Sequence, residues 1–134
     1  MRTGLPPELL LVRALAIYEQ HLGPQHPDTA ACLTNLALLY RAQGKYAQAQ
    51  ILYERALAID TKTYGAKHLT VAADLNNLAG LHYQQRKYGK AELLYQRALA
   101  IYEQELGAEH PTSQIIRRNY TALLKAMKEA EATG

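Results

Sequence analysis

The phrase RALAIYEQ at Arg13 returns as RALAIDTK at Arg55 and as RALAIYEQ at Arg97, each occurrence 42 residues after the last. Self-similarity at a fixed period constrains a fold more than any single motif, because each unit must bury its apolar face against its neighbours. The agreement runs well beyond the phrase. Leu22-Gly23 becomes Tyr64-Gly65 and Leu106-Gly107, and His26-Pro27 becomes His68-Leu69 and His110-Pro111. Asn35-Leu36-Ala37 becomes Asn77-Leu78-Ala79, then degrades to Asn119-Tyr120-Thr121; Gly44-Lys45-Tyr46 becomes Arg86-Lys87-Tyr88.

Each unit reads as two helices. Leu33, Leu36, Ala37 and Tyr40 form the i, i+3, i+4, i+7 stripe of an amphipathic first helix. Pro27-Asp28-Thr29 signals its entry, since proline suits the first turn and an acid suits the positive end of the helix dipole. Gly44 is a suitable stop. Tyr46, Ala49, Tyr53, Ala56 and Ile59 repeat the spacing in a second helix that ends near Gly65. No stretch alternates with the period of two that strands require. The expectation is an all-α solenoid of antiparallel helix pairs, with helices at about 7–22, 28–43, 45–64, 70–85, 87–106 and 112–131. One repeat domain would span 7–131, with short tails at 1–6 and 132–134.

Composition agrees with a folded chain. Hydrophobic residues make up 49 % and charged residues 20 % of the 134, outside the range of disordered tails. Phe and Trp are absent, so packing must rest on Leu, Ala, Ile and the ten Tyr. The net charge of +3 is spread thinly, with Arg117-Arg118 the densest pair, which argues against nucleic acid as a partner. The lone Cys32 can close no internal disulfide, which fits a reducing compartment. No apolar run reaches the length of a membrane span, and the N-terminal LLLVRALA is broken by Arg13 and lacks a cleavage site. A cytoplasmic location without membrane partners is expected.

Ala37, Tyr40, Gly44, Tyr46, Ala49 and Ala56 match in order the pattern of the tetratricopeptide repeat (TPR), and the chain resembles that family over about residues 8–128. The second unit matches through Ala79, Lys87-Tyr88, Ala91 and Ala98, with His82 for Tyr and Arg86 for Gly. The long unit, with Leu-Gly-x-x-His-Pro between repeats and Leu-Asn-Asn-Leu-Ala within them, is similar to the kinesin light chain type. The resemblance implies an α-α superhelix whose first helices line a concave face and whose second helices form the back.

Carried over residue by residue, the resemblance implies a ligand groove. Its first unit would contribute Thr34, Asn35, Leu38 and Arg41, its second Asn76, Asn77, Gly80, Tyr83 and Gln84, and its third Arg118, Asn119, Ala122 and Lys125. Spacings of four and three put 34, 38 and 41 on one helix face, and likewise 76, 80 and 83, and 118, 122 and 125. Asparagine carries a donor and an acceptor and can pair with a peptide backbone without reading its sequence. Arg41, Arg118 and Lys125 would favour acidic ligands, and Tyr83 offers an apolar face with a polar tip. Gly80 either admits a ligand backbone or is a tolerated surface glycine. The Asn positions have a second reading, as hydrogen bonds that fix the stack. Some arrays of the family hold a C-terminal carboxylate with five Lys, Asn and Arg residues. The matching positions here are Thr34, Leu38, Asn77, Ile115 and Asn119, and one of the five survives, which argues against that clamp.

The sequence offers no catalytic constellation. His26, His68 and His110 sit one whole unit apart, and helices packed about 8–10 Å from each other keep neighbours too distant to share one ion. The His-Pro pairs read instead as turn-and-entry signals, and His82 as a core residue on the buried stripe. Cys32 reads as a small residue between helices. There is no phosphate-binding glycine loop, nucleophile elbow or zinc helix, so neither enzyme activity nor a metal or other cofactor is expected.

The chain begins in a second helix and finishes in a first helix, with no obvious polar cap at either end. Helix 7–22 would present Leu9, Leu10, Val12 and Leu15 without a partner on its N-terminal side, which points to a fragment of a longer array or to self-association through that helix. In the repeated phrase, Ala14, Ala56 and Ala98 would allow close helix packing, and Ile17, Ile59 and Ile101 would fill the seam. The leading expectation is a scaffold or adaptor that docks a peptide or protein segment. A structural spacer with an empty groove is the alternative, and an RNA-reading helical repeat a third, against which the 42-residue period argues.

Overall fold

The computed structural model describes residues 4–133. Six helices follow one another: α1 (Pro7–His21), α2 (Pro27–Ala42), α3 (Tyr46–Tyr64), α4 (Leu69–Gln84), α5 (Tyr88–Leu106) and α6 (Pro111–Thr133). No strand occurs among the described residues. The expected tails fall partly on residues 1–3 and 134, outside the described residues. Residues 132 and 133, expected as tail, continue α6. The reason is local: the run from Ala126 to Ala132 holds only good helix formers and no breaker.

The repeated punctuation has one geometry. Gly23, Gly65 and Gly107 each turn the chain at φ near +90°, where a Cβ would be strained. Three residues on, His26, His68 and His110 cap the next helix. Each Nδ1 accepts a backbone N–H, from Asp28, Thr70 and Thr112, at 3.0, 3.0 and 3.1 Å. An imidazole thus takes the place of the usual Ser or Asp cap and satisfies an orphan amide at the helix start. At the other end α2 and α4 close alike. The N–H of Gly44 returns to the Arg41 carbonyl at 3.0 Å and that of Lys45 to Tyr40 at 2.8 Å; Arg86 returns to Tyr83 at 2.9 Å and Lys87 to His82 at 2.8 Å. This is the Schellman closure, which needs a left-handed residue after the helix.

The chain divides between Thr63 and Tyr64 into two compact units. In the first, α2 packs on α1 and on α3. Leu15, Ala30, Cys32, Leu33, Leu36, Ala56 and Ile59 form the core, with Leu11, Ala14, Tyr40 and Leu52 against it. The wholly buried Ala56 lets the α3 backbone come close. Leu15 is therefore not an unpartnered residue, as expected above, because it shares the Leu11-Ala14-Leu15 side of α1 that faces α2. Ile17 departs the other way: it is 55 % exposed, whereas Ile59 and Ile101 are buried. Ile59 packs against α2, the first helix of its own unit; among the described residues α1 has no such helix before it. Arg55 meets Glu19 at 2.9 Å and Lys45 meets Glu8 at 3.5 Å, tying α3 and its turn to α1.

In the second unit α4 packs on α5 and α5 on α6. Ala79, Ala91, Tyr95 and Leu123 form a buried cluster, flanked by Tyr83, Tyr88, Leu94, Tyr120 and Met127. Arg117 pairs with Glu103, and the Gln96 side-chain amide donates to the Tyr120 hydroxyl at 2.9 Å, so two polar links join α5 to α6.

Candidate functional site

Within the first unit the expected ligand face is one side of α2. Asn35 and Leu38 are exposed, Leu38 by 46 %, and Thr34 is half-buried between them and the core. Arg41, also half-buried, is committed in part to the fold. The Tyr53 hydroxyl of α3 is buried without a hydrogen-bond partner among the described residues. Burial pushes the Tyr53 phenol up, and the nearby charge of Arg41 pulls against that rise.

Within the second unit the face is built by α4 and α6. Asn76, Asn77 and Gly80 are half-buried and Gln84 is exposed. Tyr83 is a tie between helices. Its hydroxyl donates to the Ala122 carbonyl of α6 at 3.4 Å, and its ring stands edge-on to Tyr88 with centroids 5.8 Å apart. Two expected residues, Tyr83 and Ala122, are thereby brought into contact. Arg118, Ala122 and Lys125 are exposed and Asn119 is half-buried. The most informative atom is Asn76 Oδ1, which is buried and has no hydrogen-bond partner among the described residues. A buried acceptor without a donor costs about 1–3 kcal/mol, so native structures rarely leave one unmet.

Two acids escaped the sequence reading. Asp60 of α3 and Asp74 of α4 are buried. In the 42-residue register Asp74 stands where the other units have Cys32 and Ile116, and Asp60 where they have Tyr18 and Tyr102. An acid in an otherwise apolar or aromatic slot was the available signal. Burial, and second the charge of Asp74, push the Tyr102 phenol up. Among the described residues no three His, Cys, Asp or Glu side chains gather as metal ligands, and His26, His68 and His110 are each occupied as caps. No described helix is long and apolar enough to cross a membrane.

The family model for the tetratricopeptide repeat matches residues 10–62 and again 41–104. The chain belongs to the tetratricopeptide repeat family. Its TPR helices superpose on BtubC (BKLC) from P. vanneervenii with a TM-score of 0.83 at 27 % identity, over 93 % of this chain and 51 % of that one. A kinesin light chain-type protein of nearly identical TPR-like repeats from Podosopora anserina gives 0.83 at 26 % identity, over 93 % of this chain and 59 % of that one. The array is thus an all-α, TPR-like solenoid of the kinesin light chain-like kind, and it spans a little over half the length of these relatives. No curated protein matches it. TPR arrays generally serve as protein–protein interaction modules, and the fold by itself names no partner.

Proposed function

We infer that this chain is a docking module whose first helices receive a segment of a partner protein, on α4 and α6 within the second unit, with asparagine side chains contacting its backbone. The observation that supports the reading is the match to the tetratricopeptide repeat model, together with the polar row on α4, Asn77 half-buried and Gln84 exposed, on the face the family uses for ligands. Arg118 and Lys125, exposed on α6, favour acidic segments. The module acts as a cytoplasmic scaffold, without catalysis or cofactor.

A random peptide display selection on the whole chain tests this. The selected peptides should lose at least tenfold in affinity when Asn76 and Asn77 are both replaced by Ala, with helicity unchanged by circular dichroism. Binders indifferent to Asn35, Asn76 and Asn77 would remove the groove from consideration.

A second reading rests on α1, whose Leu9, Leu10, Val12 and Ile17 are exposed. Here the chain self-associates through that helix, or serves as a spacer within a longer array. Light scattering across a dilution series separates the two readings: a monomer at every concentration leaves docking, and Leu10→Glu dissolving an oligomer supports self-association.

A further inference from the structure

No further inference is drawn: the strongest candidate, the exposed apolar position that recurs in the 42-residue register as Leu9 of α1, Ile51 of α3 and Leu93 of α5, is an unpartnered surface, and nothing in the structure shows what covers it.

Discussion

Arg86 stands where Gly44 stands one repeat earlier and holds the same left-handed backbone, φ +61° against +77°. Both residues close their helix with the same pair of backbone hydrogen bonds. For a residue with a Cβ this conformation costs about 1–2 kcal/mol, and glycine returns part of that through greater freedom of the unfolded chain. Arg86→Gly should therefore raise stability by about 0.5–1 kcal/mol. Gly44→Ala should lower it by about 1 kcal/mol. Urea midpoints with an unchanged slope check both, and no gain for Arg86→Gly would mean that the Arg86 side chain makes contacts that repay the strain.

The contact between Tyr83 and Ala122 makes Tyr83 a structural tie between α4 and α6 as well as an expected groove residue. Tyr83→Phe keeps the edge-on packing on Tyr88 and should change stability by less than about 1 kcal/mol. Tyr83→Ala removes the ring and should cost about 1–3 kcal/mol. Hydrogen exchange adds a discriminating readout, since the alanine variant should lose protection in α6 before α4. Equal effects of the two substitutions would assign the tie to the hydroxyl.

Histidine caps give a graded series. His68→Ala removes the acceptor for the Thr70 amide and should destabilise by about 1 kcal/mol, while His68→Asn, a good cap residue, should restore most of it. Tyr64 also stacks on the His68 ring at 4.5 Å. An Asn variant as weak as the Ala variant would show that the ring stack outweighs the cap.

Alkaline stability should fall through the two buried tyrosines. Tyr53 and Tyr102 are both raised above the ordinary value of 10.0, chiefly by burial. The sign follows from proton binding. Above pH 10 the unfolded chain releases these protons first, so the folded state holds more and stability drops as pH rises. Below pH 10 the contribution is complete. Urea unfolding from pH 8 to 11.5 should show this loss, and Tyr102→Phe or Asp74→Asn should flatten it. A slope unaffected by either substitution would place the loss elsewhere, in lysines for example.

Much of the architecture was legible because helical burial repeats along the chain. Leu33, Leu36, Ala37, Tyr53, Ala56 and Ile59 were marked by spacing alone, and each is buried. Helix ends were legible for a similar reason: glycine and the His-Pro pair have local backbone causes that need no tertiary contact. The C-terminus of α6 was misjudged by two residues because no breaker marks it, Leu15 because its helix was read as unpartnered on that side, and Ile17 because the repeat was assumed to present the same environment in every unit.

By itself, the sequence determined the helix count, the repeat register, the buried stripe and the family, all of which depend on interactions within one helix or between neighbours in the chain. Only the tertiary structure decided which side chains remain available to a partner. Tyr83 looks like a free ligand contact on a helical wheel, yet its hydroxyl reaches the Ala122 carbonyl. Asn76 looks like its neighbour Asn77, yet its Oδ1 is buried without a donor. Exposure and hydrogen-bond satisfaction depend on what the adjacent helix brings to the same place, and the period of one helix cannot encode that.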